Sequence, residues 1–296
     1  MVATDPQFSY FMFPFLRLMN RKIHLIHWAF DLFPEAIMSY NSRWMKVLAK
    51  LATPLVTKAY CSVDVMVDIG ECMRKRLQKH CRNKFFVTLT PWALVEPEQV
   101  SPVPIIKRRE LFGDAKLALL YSGTVGHAHD LTPFIKLARE CRKRGIDVAF
   151  CLAGCGNQFQ QQTAVLTAED TNIKLAGFTT EDELEERLAA ADIHLISLRN
   201  GWEGVVVPSK FFGALAIGRP VIFAGPESSS IARWCHQYKV GLTMDTQIVD
   251  ILHSLADSPQ EIATLRQHSY QIYKSKFSKK SIFNGWLQLL ENIKDK

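Results

Sequence analysis

From residue 115 onward the chain alternates short, uninterrupted apolar runs with longer segments of helical period. Residues 117–121, 148–152, 173–176, 193–198 and 221–224 are predicted strands. Their continuous apolar character is that of strands covered on both faces. Residues 131–144, 158–166, 181–190, 209–217 and 229–238 are the predicted helices that follow them. Repeated β–α units of this kind build a parallel sheet flanked by helices.

The front of the chain keeps the same rhythm less completely. Residues 23–28 are apolar, 35–50 helical, 63–67 a strand, 71–79 helical and 85–89 a strand. The proline-rich stretch from Glu96 to Pro104 breaks the alternation and is expected to link two α/β units. The expected organisation is a partial Rossmann-like domain over residues 1–100, a linker over 101–112, a nucleotide-type Rossmann-like domain over 113–280, and a C-terminal amphipathic helix over 281–296. That helix carries Phe283, Trp286, Leu287, Leu289, Leu290 and Ile293 and must dock on something. The first unit is short of the roughly 150 residues such a domain needs. It lacks an opening strand and glycine-rich turn, so its front half is expected to be missing.

The chain has 296 residues, enough for one large or two ordinary domains. It holds no run of about 18 uninterrupted apolar residues, as a membrane-spanning helix would require. The run from Phe8 to Leu16 is short, and its positive charges follow it rather than precede it, unlike a secretory signal. The seven cysteines make no CxxC pair, so reduced cytosolic thiols are expected and the chain is placed in the cytoplasm. Net charge is +7, and the first hundred residues carry most of the excess, with 13 Lys+Arg against 8 Asp+Glu. Arg17, Arg21 and Lys22 follow the aromatics Phe8, Tyr10, Phe11, Phe13 and Phe15. Two readings stand: peripheral contact with an anionic membrane surface, or aromatics in the core with solvated charges. No basic block or RNA-binding signature points to nucleic acid.

Two motifs carry candidate chemistry. In Tyr121–Asp130, YSGTVGHAHD, a strand runs into a glycine loop and then a helix. Glycine lets backbone approach a ligand closely, and a helix start offers N–H groups to phosphate. The loop is neither GxGxxG nor a Walker A loop. In Gly201–Pro220, Ser209 is an expected N-cap and Gly218 an expected C′ residue. Lys210 falls in the first turn, where the helix dipole disfavours a cation. A diphosphate bound there would reverse that penalty; a solvated lysine is the plain alternative. Glu203, in the preceding loop, has a carboxylate suited to sugar hydroxyls.

The pieces SGTVGHAHDL, LAGCG, NIKLAGF, ELEERLAAADIHLISL, VVVPSKFFGALAIGRPVIFAG and SSSIAR, in this order, resemble the nucleotide-binding domain of glycosyltransferase family 4, of GT-B architecture. HWAFDLFPEAI, DVMVDIGECMRKRL and VTLTPWA resemble the rear of the family's acceptor domain. The likeness is strongest to bacterial polysaccharide and glycolipid sugar transferases. It implies an α/β fold of two Rossmann-like domains and transfer of a sugar from a nucleotide-diphosphate donor to a carbohydrate or lipid-linked acceptor, with retained configuration. Gly123, Thr124, Val125 and Gly126 would face the donor diphosphate, and Lys210 would neutralise it. Phe178 would flank the base; Val207, Pro208 and Ser209 would lie beneath the sugar–phosphate; Glu203 would lie near the donor sugar. His27 and Asp31 would face the cleft and orient or deprotonate an acceptor hydroxyl. Gly213 stands where many members carry a ribose-binding glutamate. No DxD metal motif is seen, and no cofactor is implied.

Three other readings compete with this one. A catalytically inactive family member that binds only a nucleotide is favoured by the missing front. A nucleotide-sugar 2-epimerase needs acid/base groups in the cleft, and His127 and His129 are the one close pair. A nicotinamide dehydrogenase lacks its GxGxxG.

Overall fold

The computed structural model describes residues 1–4, 9–38 and 42–294. Two all-parallel sheets organise it. The first holds β1 (Val2–Ala3), β2 (Ile26–Trp28), β3 (Val65–Asp68) and β4 (Phe85–Thr88) in that spatial order. Its helices are α1 (Met12–Met19), α2 (Glu35–Met38), α3 (Arg43–Cys61) and α4 (Glu71–His80). After α5 (Ile105–Phe112) the alternation becomes strict. It runs β5 (Leu117–Ser122), α6 (Thr132–Lys143), β6 (Val148–Ala153), α7 (Asn157–Thr163), β7 (Ile173–Ala176), α8 (Leu184–Ala189), β8 (Ile193–Ser197), α9 (Lys210–Ala216), β9 (Val221–Ala224), α10 (Ser230–Tyr238) and β10 (Gly241–Thr243). The second sheet has the order β10-β9-β8-β5-β6-β7. Helices α11 (Ile248–Ala256), α12 (Pro259–Ile272) and α13 (Lys279–Lys294) close the chain.

The central strands β5, β6, β8 and β9 are buried almost throughout, which is why they read as unbroken apolar runs. β5 opens the second sheet, and the chain winds from it first towards β6 and β7, then back across it to β8, β9 and β10. The reversal between β5 and β8 is a topological switch point, where loops at the carboxyl ends diverge and leave a crevice.

Several expectations are corrected. The helix expected over 35–50 is two helices, α2 and α3, with residues 39–41 outside the described residues. α3 runs on to Cys61 although Pro54 removes one of its hydrogen bonds, because Ala49, Val56, Ala59 and Tyr60 anchor it in the core. The segment expected as linker is half helix, α5, and its extended part is fastened. Glu96 accepts from the Tyr273 hydroxyl and, at 2.7 Å, from the Lys279 amide. The fully buried Arg219 donates to the carbonyls of Ser101, Ala189 and Ala191 at 2.7–2.9 Å. The reduced-thiol expectation fails for one pair: Cys61 and Cys81 form a disulfide, because packing brings the end of α3 beside the end of α4 with 5.7 Å between the α-carbons. The other five cysteines are free. The aromatics ahead of Arg17 divide between the two readings. Tyr10 and Phe13 are core, Phe11 and Phe15 are exposed, and Phe8 lies outside the described residues.

The two sheets share an apolar interface. Leu32 donates to the Val205 carbonyl at 3.0 Å, and the Cys72 thiol lies 2.9 Å from the Ser230 hydroxyl. Gly204, with φ +76°, sits where a Cβ would lie 2.3 Å from the Cys72 carbonyl oxygen, so only glycine lets the loop close on α4. α13 returns to the first sheet: the Trp286 ring meets Trp28 edge-on at 5.0 Å.

Candidate donor site

The loops after β5, β6 and β7 and the start of α9 converge on one crevice, with a cavity of about 280 Å³. Its floor is Ser122, Gly123, Thr124, Ala153 and Gly154. One wall is Gly177–Glu181 with Arg187; the opposite wall is Ser209, Lys210 and Gly213. Trp92–Val95, following β4 of the first sheet, also line it.

The centre is a contact between two residues 86 positions apart. Lys210 Nζ donates to the Thr124 carbonyl at 3.0 Å and lies 5.3 Å from the centre of the Tyr121 ring. Gly123 has φ +122°, and a Cβ there would come within 2.9 Å of Lys210 Cε. Glycine is therefore required twice, for its dihedral and for the space the lysine stem fills. β5 and β8 are neighbours, so the loop leaving β5 and the helix entered after β8 meet at the switch point.

No carboxylate forms an ion pair with Lys210 among the described residues. Burial lowers its ammonium to about 8, the cost of holding a cation out of water with a carbonyl as partner. His129 props the loop from behind. Its Nδ1 accepts from the Gly126 amide at 3.1 Å, and its own carbonyl accepts from Arg199 and Gln162. Burial, then the nearby Lys210 charge, pushes this imidazole down to about 3, so it stays neutral and keeps that acceptor. Arg187 donates to the Gly177 carbonyl at 2.6 Å and holds the loop bearing Phe178, whose ring is 74% exposed at the cavity mouth.

The structure gathers Gly123, Thr124, Phe178, Ser209 and Lys210 at the cavity. Val125, Val207 and Pro208 are buried beneath the loops, and neither they nor Gly126 line it. Ser209 stands at the N-cap position of α9 without a capping bond, and the first turn is tight: the Phe211 and Phe212 amides bond the Pro208 and Ser209 carbonyls. The expected free N–H groups are to that extent already engaged. At the other end Gly218, φ +75°, and Arg219 donate back to Leu215 and Ala214, a Schellman ending as expected.

The acceptor-side residues are not brought to the cavity. His27 is fully buried in β2 with its ring stacked on Tyr60 and edge-on to Tyr10 and Phe13, because its side chain points into the α1–α3 layer. Asp31 is exposed in the loop after β2 and does not line the cavity. Glu203 turns onto its own loop, accepting from the Gly201 amide at 2.8 Å and facing Arg76 of α4 at 3.8 Å. Sequence reasoning missed Trp92–Val95, Arg187 and Glu181 as cavity residues. The run VTLTPWA carried a signal for the first of these, but its place over the second sheet is a tertiary fact.

The chain is similar to several known proteins. Residues 116–247 match the family described as "Glycosyl transferases group 1". "Probable glycosyltransferase WbjE" of Pseudomonas aeruginosa is 24% identical over 247 residues, 81% of this chain and 60% of that protein. WcaI of Escherichia coli (strain K12) is 22% identical over 210 residues, 69% of this chain and 51% of that protein. The crystal structure of Anabaena HepE in complex with UDP-glucose superposes with a TM-score of 0.68 at 15% identity, covering 94% of this chain and 74% of that one. The chain spans between half and three-fifths of the length of the curated relatives it matches.

Proposed function

On the premise that residues 116–247 are a glycosyl transferases group 1 domain within a GT-B fold, we propose that the chain transfers a sugar from a nucleoside-diphosphate donor to a carbohydrate or lipid-linked acceptor of bacterial polysaccharide or glycolipid synthesis. The carrying observation is the Lys210 ammonium, half-buried against the glycine loop without a carboxylate, at the switch point of the second sheet.

The donor diphosphate would lie on Gly123 and Thr124 with Lys210 beside it. Breaking the bond from the anomeric carbon to the phosphate oxygen leaves its electron pair on the diphosphate. The negative charge then grows beside a cation already in position, which favours the transition state over the ground state. The acceptor hydroxyl supplies the new bond to the anomeric carbon and gives up its proton. The base would occupy the wall of Phe178–Glu181 with Arg187, roofed by Trp92–Val95. At Gly213 an added Cβ would have only Leu188, at 3.9 Å, within contact distance, so a carboxylate there is absent by sequence rather than by crowding. Ribose recognition must therefore come from another group; Glu181 lines the same cavity.

The test is turnover and binding with a panel of nucleotide sugars. Release of nucleoside diphosphate in the presence of a carbohydrate or lipid-linked acceptor supports transfer. Tight nucleotide binding without release supports the inactive reading, and absence of binding removes the donor site.

A further inference from the structure

A second cation lines the donor cavity. Arg187, on α8, stands in the wall opposite Lys210. Its Nη1 donates to the Gly177 carbonyl at 2.6 Å, and its Nε is buried with no hydrogen bond among the described residues. No carboxylate forms an ion pair with it among the described residues. A buried charged donor without an acceptor costs free energy, so this guanidinium is short of a partner. The other polar groups close to it are engaged. His194, buried and held neutral, donates from Nε2 to the Leu188 carbonyl at 3.0 Å, and the Thr179 hydroxyl donates to Glu183 at 3.1 Å. Phe178, Leu184 and Leu188 make the rest of the wall apolar. The wall therefore offers an apolar surface to a planar ring and, beside it, a group that donates and never accepts.

We propose that Arg187 selects the base of the donor nucleotide, taking uracil or guanine and rejecting cytosine and adenine. This selection presupposes the donor site proposed above and adds to it which nucleotides are taken. With the diphosphate on Gly123, Thr124 and Lys210, the ribose spans the cavity, and the end of the base remote from the ribose meets the opposite wall. Uracil and guanine carry a carbonyl oxygen at that end; cytosine and adenine carry an amino group in the same place. A guanidinium N–H facing the carbonyl makes a charge-assisted hydrogen bond. Facing the amino group it sets donor against donor, with both taken out of water. Guanine presents a second acceptor, its N7, beside that oxygen, and a guanidinium fork can take both. Glu181, the carboxylate on the same wall, has the opposite preference. The ranking of the bases therefore shows which of the two charged side chains reads the base.

The full chain is titrated calorimetrically with UDP, CDP, GDP and ADP. Ribose and diphosphate are common to all of them, so the differences report the base alone. UDP is expected to bind at least about tenfold tighter than CDP, or GDP than ADP, and whichever of UDP and GDP binds tighter gives the size of base the wall admits. Arg187→Met keeps a long stem and removes every N–H; its ratio within each pair falls to within about threefold. Arg187→Lys, which still only donates, keeps the preference for the carbonyl base. A role confined to holding the Gly177 loop would weaken every nucleotide together in Arg187→Met and leave the ratio as it was, and that result overturns the proposal. Equal binding within both pairs by the wild-type chain also overturns it while leaving the donor site standing, and a preference for CDP and ADP overturns it in favour of Glu181. Absence of binding by all of them overturns the donor site and this selection together. The wild-type ranking decides the question even where a variant does not fold.

Discussion

Single residues define the candidate site. Lys210 lines the cavity with its ammonium lowered by burial to about 8, and its partner is a neutral carbonyl. Replacing it with Ala is expected to weaken nucleoside-diphosphate binding by about 1.5–3 kcal/mol, the range for charge-assisted hydrogen bonds. Isothermal titration checks this, and unchanged affinity removes Lys210 from the site. The sign of the pH dependence follows from the lowered value. Below about 8 the group is an ammonium and attracts the anion; as pH rises past that value the free protein loses the charge, so wild-type affinity declines. The Lys210→Ala profile stays flat over the same range. Gly123→Ala is expected to lower donor affinity even in a folded protein, since the methyl and the lysine stem cannot share the space.

Elements position those residues, and two contacts outside the cavity test the packing. The Cys61–Cys81 bond ties the end of α3 to the end of α4. Alkylation of the unfolded, unreduced chain is expected to label five thiols, and seven after reduction. Closing a loop of 20 residues is worth about 3 kcal/mol by chain entropy, so Cys61→Ser should lower denaturant stability by that order. α13 docks through Trp286 on Trp28 of the first sheet. Trp286→Ala should cost about 3–5 kcal/mol, the range for emptying a buried aromatic position, measured as a lower urea midpoint. Most second-sheet strands and helices were legible because each strand is a buried apolar run ended by glycine or a turn. β10 was not: its three residues are only half-buried, and Gly241 offers no side chain to pattern. α5 was hidden by the neighbouring prolines, and β1 is two residues held by pairing with β2.

At the scale of the whole molecule, neutral histidines set the acid limit. Burial lowers His194 to about 4 and His129 to about 3. In the unfolded chain both take a proton near 6.5; in the folded protein neither does until well below that. Stability is therefore held above about pH 6.5 and falls as pH drops from there towards 4. Urea midpoints measured across that range check it. His194→Gln should flatten part of the slope, and an unchanged slope would exclude His194 as a contributor. The same scale explains the domain contact: the apolar seam around Leu32, Val205 and Cys72, with Gly204 closing on α4, and α13 recrossing to the first sheet.

By itself the sequence determined the α/β class, most strands of the second sheet, the glycine loop and the oddity of a lysine opening a helix. These are written in local period and dihedral demand. It did not determine that residue 210 meets residue 123, that Trp92–Val95 cover the second sheet's crevice, or that His27 turns into the helix layer. A side chain's direction and a contact between distant positions are fixed by strand order and by which faces pack, and those exist only once the two sheets have closed on each other.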